Sequence, residues 1–306
     1  MENEKSIFKR IHTDRFKWYD EVLIIFLIAF FFMEIVGGIV SSAVTKPLAG
    51  LIISDPTGYW EIFAMYFSFI GIWIVFILFF ALIKRNRPIL KAIWTAPKGN
   101  NLKFLGIGLL IGLGMNMVCA IGAMLHKDIA IYFNSFDFIK LLLLFIVVFI
   151  QSSAEELVCR GFIYQSLRRG YRHPAVAIVG NALFFGIMHL LNPGVTPLAI
   201  MNIVVVGILF SLMVYYMDSI WCAMAAHAAW NFNQNIILGL PNSGIVSPVS
   251  IFKLDAAAAQ NSFAYDVEFG LEGTILAVVV LIVSALLIYF FYRNKGVKPY
   301  DPWQDM

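Results

Sequence analysis

The chain has 306 residues, 60% of them hydrophobic and 13% charged, with a formal net charge of +3. A mean hydropathy of +0.82 excludes an ordinary soluble domain, in which about a quarter of the residues are charged. The basic residues behind the pI near 8.7 sit in loops between apolar runs, where they suit anionic lipid headgroups, so the balance reflects membrane topology and not nucleic-acid binding.

Runs of about 20 apolar residues, each enough to cross ~30 Å of hydrocarbon, fall at 21–45, 60–83, 103–125, 138–160, 174–192, 196–217, 219–239 and 273–292. They predict an all-α polytopic membrane helix bundle of about eight transmembrane helices. A cytoplasmic N-terminal segment covers 1–20, a single transmembrane domain covers 21–292 with its motif core at 138–292, and a cytoplasmic tail covers 293–306. The first apolar run is too long for a cleaved signal and lacks a small-residue cleavage site, so it reads as a true first helix. Lys5, Lys9, Arg10, Arg15 and Lys17 precede it, and Lys84, Arg85, Arg87, Lys91, Lys98 and Lys103 follow the second span. Arg168, Arg169 and Arg172 join the fourth to the fifth, and Arg293, Lys295 and Lys298 follow the last. The other side keeps Lys46, Lys127, Lys140 and Lys253. This asymmetry predicts a multi-pass integral membrane protein with both termini cytoplasmic, in the cell membrane if bacterial. A short interfacial helix is expected around 89–94, and the Pro- and Gly-containing stretch 240–272 reads as a solvated outer loop. Cys119, Cys159 and Cys222 lie in apolar segments and read as packed small hydrophobes, with no disulfide framework. No fixed-period repeat and no matched broken helices of the transporter type are present.

Charge inside a bilayer costs roughly 2.5–3.5 kcal/mol per group on insertion scales, so intramembrane charges argue for function. On the fourth span, Glu156 precedes Arg160 by four residues, the order in which a carboxylate best reaches a guanidinium. Glu155, about 100° around the helix, is left free. A buried salt-bridge cluster explains Glu156 and Arg160 but not the third, unpaired acid. The fifth span brings His189 one turn after Phe185 and two turns after Asn181, which suggests a face turned to a polar interior. The seventh presents His227 and Asn231 one turn apart, either an oxyanion-binding pair or a ligand with its hydrogen-bond partner. For each histidine alone, neutral interhelical hydrogen bonding is the plainer reading; the joint pattern favours chemistry. Glu34, alone in the middle of the first span, could pair with Arg160, line a water path, or be neutral and hydrogen-bonded, the last being preferred. One difficulty is depth. At ~1.5 Å per residue, Glu155 lies about 25 Å along the fourth span and His189 roughly 22 Å along the antiparallel fifth. They meet if the fourth helix continues past Arg160 towards Leu167 while the fifth begins outside the hydrocarbon.

The ordered set Glu155-Glu156-x-x-x-Arg160, Phe185-x-x-x-His189 and His227-x-x-x-Asn231, on hydrophobic helices, resembles the CPBP family: the intramembrane CAAX proteases and the bacteriocin-processing or bacteriocin-immunity proteins of the Abi group. The resemblance is best over 138–292. It implies a membrane endopeptidase in which Glu155 and His189 activate water, His227 and Asn231 stabilise the oxyanion, and Glu156 and Arg160 support them. Metal use is left open. Glu155, His189 and His227 with a water make a known catalytic zinc set, which gives the family its metalloprotease label. Metal-free glutamate–histidine catalysis uses the same atoms, and the balance tips slightly towards it. The implied partners are the lipid bilayer and a peptide or membrane-protein substrate: a CAAX tail, or a leader, pheromone or bacteriocin peptide. No G-x-S-x-G, H-E-x-x-H or G-x-G-D is present to support serine, zincin-like or aspartyl routes. The alternatives are a non-catalytic membrane binding or bacteriocin-immunity protein and, more remotely, a proton-coupled carrier.

Overall fold

The computed structural model describes residues 8–304; Lys5 and the rest of 1–7, with 305–306, lie outside the described residues. The fold is a helical bundle. In chain order it comprises α1 (Val22–Ser54), α2 (Tyr59–Leu82), α3 (Arg87–Ile93), α4 (Leu102–Leu125), β1 (Ile131–Phe133), α5 (Phe138–Gly170), α6 (Pro174–Met188), α7 (Pro197–Met217), α8 (220–237), β2 (Phe252–Leu254) and α9 (Ile275–Tyr292). Side chains set several starts: Asn101, Asp137, Thr196, Ser219 and Thr274 each accept a hydrogen bond from a backbone amide of the first turn, satisfying donors that a helix end leaves free. Pro174 and Pro197 occupy first helical positions, where a missing N–H costs nothing.

All eight apolar segments are helical, but among the described residues six helices, α1, α2, α4, α5, α7 and α9, are long and apolar enough to cross a membrane. The remaining two also carry site residues: α6 has 15 residues, and α8 carries His227, Asn231, Asn233, Gln234 and Asn235. The expected interfacial helix is α3. Large apolar side chains such as Leu23, Leu27, Leu110, Leu286 and Phe290 are exposed on the bundle's outside, as expected where the surroundings are hydrocarbon.

The depth difficulty disappears because α5 is longer than its apolar run. It continues as 33 residues to Gly170. Glu155 therefore lies 15 residues before the α5–α6 turn and His189 15 residues after it, about 22 Å in each case. α-Helix gives way to π-helix at Phe31–Gly37, Leu157–Ile163 and Phe232–Ile237, next to Glu34, Glu156 and Asn231, a placement common at functional sites.

α8 is central, packed against α4, α5 and α7. Cys222, Ala223, Ala225, Ala226 and Ala228 are fully buried on it, small residues that let helix backbones approach. On α4, Gly108 and Gly112 face Cys222 and Ala226 so closely that a Cβ at either would collide with a backbone carbonyl oxygen. Cys119, Cys159 and Cys222 are all buried and free.

The described parts of both terminal segments pack on the α5–α6 end. Arg169 donates to Asp20 at 2.6 Å and lies 4.5 Å from the Trp303 ring; Asp20 also pairs with Arg85. Arg172 donates to the His12 carbonyl at 2.8 Å, and Asp218 accepts from the Tyr300 amide at 2.7 Å. At the opposite end β1 and β2 pair antiparallel, Ile131 opposite Leu254. Here the expectation of a solvated loop fails. Leu240, Ala264, Tyr265, Phe269 and Leu271 are fully buried, and Gly239 and Gly270 take positive φ where their chains touch Phe252 and Pro241, a conformation and closeness that favour glycine.

Gly112→Val is expected to cost about 1–3 kcal/mol through overpacking, lowering the Tm of the detergent-purified protein. An unchanged Tm would show that α4 and α8 do not depend on this close approach.

Candidate active site

The site is built on the ion pair of α5. Arg160 Nη1 donates to Glu156 Oε1 at 3.0 Å, and both side chains have 0% exposure. Arg160 Nη2 donates to the Gly207 carbonyl at 2.7 Å, while the guanidinium lies 5.0 Å from the Phe185 ring and 5.4 Å from the Phe210 ring. Glu156 Oε1 also accepts from His227 Nδ1 at 3.1 Å. The His227 ring stacks on Phe210 and meets the edge of Phe185, so its position is fixed by one carboxylate and two aromatic rings.

Glu155 turns the other way, into a cavity of about 430 Å³ that His189, His227, Asn231 and Phe185 also line. Its Oε1 accepts from Gln151 Nε2 at 2.6 Å. Its Oε2 is buried without a hydrogen bond and stands 3.8 Å from His227 Nε2. His189 Nδ1 is 2.8 Å from the Phe185 carbonyl. A carbonyl only accepts, so Nδ1 carries the proton and Nε2 of the neutral ring keeps its lone pair. Asn231 Nδ2 donates to Gln151 Oε1 and Ser152 Oγ, both at 3.2 Å. The four principal residues named from sequence thus share one cavity, with Glu156 and Arg160 directly behind it.

The face carrying Asn181 does look inward: Asn181 is fully buried and donates to Ser211 Oγ of α7 at 3.0 Å, and Ser211 donates to the same Gly207 carbonyl that Arg160 uses. Other expectations are corrected. Glu34 neither pairs with Arg160, whose terminal nitrogens are taken, nor makes the hydrogen bond preferred for it; it is exposed and lines the cavity. Glu155, His189 and His227 line one cavity, and among the described residues no three His, Cys, Asp or Glu side chains are grouped closely enough to hold a metal ion as they stand. Cys159 lines the cavity but is buried.

Several residues were missed. Gln151 and Ser152 precede Glu155 and Glu156 by four residues each and so share their helix faces, a signal the sequence did contain. Glu272 lines the cavity and accepts from Trp230 Nε1 at 3.0 Å and from the Ser243 amide at 2.6 Å. It ties the loop over the site, and no local pattern marks it.

The family model for type II CAAX prenyl endopeptidases, Rce1-like, matches residues 137–233, a stretch holding all three motifs. The chain is 30% identical over 217 residues to the uncharacterized protein YyaK of Bacillus subtilis (strain 168), covering 67% of this chain and 69% of that one. The chain belongs to the CAAX protease family. It is a multi-pass membrane peptidase, working in a lipid bilayer on peptide or protein substrates. No solved structure matches it. Within this CAAX protease the ion pair behind the cavity is open to test. Arg160→Met leaves Glu156 buried without its cation and is expected to cost about 3–5 kcal/mol. Adding Glu156→Gln should recover part of that loss in thermal unfolding; an equal Tm for the single and double variants would show that the two charges are not coupled.

Proposed function

We propose that the chain hydrolyses a peptide bond of a membrane-associated or small peptide substrate in this cavity, with a water activated by Glu155 and His189. The observation that carries this reading is the free, buried Oε2 of Glu155, an acceptor facing the cavity beside two imidazoles. A water hydrogen-bonded to Oε2 and to His189 Nε2 gives up its proton to Glu155 as its oxygen attacks the carbonyl carbon. Glu155 then returns that proton to the departing amine nitrogen, so the carboxylate is regenerated and the C–N bond breaks.

The oxyanion of the tetrahedral intermediate falls to His227 and Asn231. With Nδ1 donating to Glu156, His227 offers a donor at Nε2 when that nitrogen also carries a proton. Asn231 donates after exchanging one of its two long bonds, to Gln151 or Ser152, for the oxyanion. Glu156 and Arg160 act as positioning residues. No step is assigned to a metal. Candidate substrates are a CAAX-type prenylated tail and a leader or bacteriocin peptide. By its charge, the end bearing Arg85, Arg168, Arg169 and Arg172 is assigned in this reading to the cytoplasm, together with the described parts of both terminal segments that pack there.

A non-catalytic peptide-binding or immunity protein is the second reading, favoured by one detail: Asn231 is already bound within the protein. Comparing peptide termini in cells expressing wild type or Glu155→Gln at matched membrane levels separates the two. Loss of the general base should lower cleavage by about 10²–10⁴-fold, and Asn231→Ala by roughly 10²–10³-fold. Identical termini with wild type and Glu155→Gln would leave the binding reading.

A further inference from the structure

The cavity holds more negative charge than water activation requires. Glu34 of α1, Glu155 of α5 and Glu272 before α9 line it, and no lysine or arginine does. This is local, since the whole chain has a formal net charge of +3.

The three acids are not equivalent. Glu155 is held by Gln151, and Glu272 by Trp230 and Ser243. Glu34 makes no hydrogen bond or ion pair and is exposed at the cavity's edge, on the π-helical segment of α1. It shares the cavity with Glu155. A carboxylate at membrane depth is costly, and nothing within the protein offsets this one.

A second observation points the same way. Three buried side-chain atoms of the cavity-lining residues lack a hydrogen-bond partner: Glu155 Oε2, Asn202 Oδ1 and Asn242 Oδ1. All are acceptors. Asn202 and Asn242 are 2% and 7% exposed, and Asn202 Nδ2 donates to the carbonyls of Glu272 and Thr274 at 2.5 and 3.3 Å, which fixes its oxygen as the free atom. His189 Nε2 is a fourth acceptor. Unmet acceptors in a desolvated site call for donors, and carboxylates favour donors that are charged.

We propose that the cavity selects peptides carrying a cationic group, a lysine or arginine side chain or a free α-ammonium, near the bond to be cleaved, and that Glu34 receives that group. This rests on the peptidase reading and adds to it the charge class of the substrate. Glu34 is then a specificity residue that takes no part in the proton transfers.

The test reads binding, so it does not depend on turnover. Full-length Glu155→Gln protein in phosphatidylcholine nanodiscs, in ~0.1 M salt where unspecific surface attraction is screened, is incubated with a random decapeptide library, and the retained peptides are sequenced by mass spectrometry. Peptides with Lys or Arg should be retained up to about fivefold over their Gln counterparts. Adding Glu34→Gln should remove that preference, and adding Glu34→Lys should turn it towards Asp and Glu, a gain that misfolding does not produce. Absence of a cationic preference, or a preference unchanged by both Glu34 substitutions, overturns the proposal. If protein with Glu155 intact fails to cleave the retained peptides, the peptidase reading falls while charge selection stands. Cleavage without charge selection overturns the role of Glu34 and leaves the peptidase reading in place.

Discussion

A guanidinium with no solvent contact, inside a bundle that crosses a membrane, must have its counterion built in, and the site is arranged around that need. Arg160 spreads its charge over three kinds of partner: the Glu156 carboxylate, the Gly207 carbonyl and the faces of Phe185 and Phe210. Each imposes a condition on another helix. A Cβ on Gly207 would press on Ala182 at 3.0 Å and on Arg160 Nη2 at 3.4 Å, so the approach of α7 to α5 and α6 depends on that glycine. The oxygen of Glu156 that neutralises Arg160 is also the one that orients His227. Whether the pair is structural or catalytic is therefore a false choice. Its structural role, satisfying a buried charge, is what sets the imidazole in place.

The parts legible in sequence were those governed by short spacing. The Glu156–Arg160 pair, the separation of Glu155 onto another face, and the shared faces of Phe185 with His189 and of His227 with Asn231 follow from helical geometry alone. Apolar runs gave the helices but misjudged their lengths. α5 outlasts its hydrophobic stretch because Gln165, Arg168 and Arg169 in its last turns find partners at the bundle end: Gln165 meets Arg168, which reaches the Tyr300 carbonyl, and Arg169 reaches Asp20. Hydropathy reads such residues as a loop. The stretch 240–272 misled for the converse reason. Its glycines, prolines and acids look solvated, yet Glu272 is bonded to Trp230 and Ser243, 42 and 29 residues away. Contacts of that range leave no periodic trace. Asn181 turns inward as its stripe implies, but its partner Ser211 lies on another helix and leaves no mark in the local pattern.

The polar end of α8 explains how so irregular a loop is held over the cavity. Asn233 donates to Asn116 of α4, Asn116 to Gln234, and Gln234 to the Pro241 carbonyl, at 2.7, 2.7 and 2.6 Å. Asn235 accepts from Tyr66 at 3.0 Å and donates to the Ile245 carbonyl at 2.8 Å. Buried amides are costly when unpaired, so this ladder tolerates little rearrangement. It turns the helix that carries His227 and Asn231 into the anchor of the loop as well. The same residues that make α8 too polar for a simple membrane span fix the far wall of the site.

The two histidines illustrate how environment divides labour between identical side chains. At His189, Nδ1 meets a backbone carbonyl, a neutral acceptor that selects one tautomer of a neutral ring and leaves Nε2 as a lone pair. At His227, Nδ1 meets a carboxylate, a charged acceptor that anchors the ring and leaves Nε2 turned towards Glu155. One ring is thereby suited to accepting from a water, and the other can donate to a developing negative charge when both its nitrogens carry protons. Glu155 stands with its free oxygen 3.8 Å from the second ring and within the same cavity as the first. Neither ring's role could be assigned from its motif, because Phe185-x-x-x-His189 and His227-x-x-x-Asn231 are equally silent about what Nδ1 touches. The difference lies in a single acceptor, carbonyl or carboxylate, and the carboxylate is there because Arg160 required one.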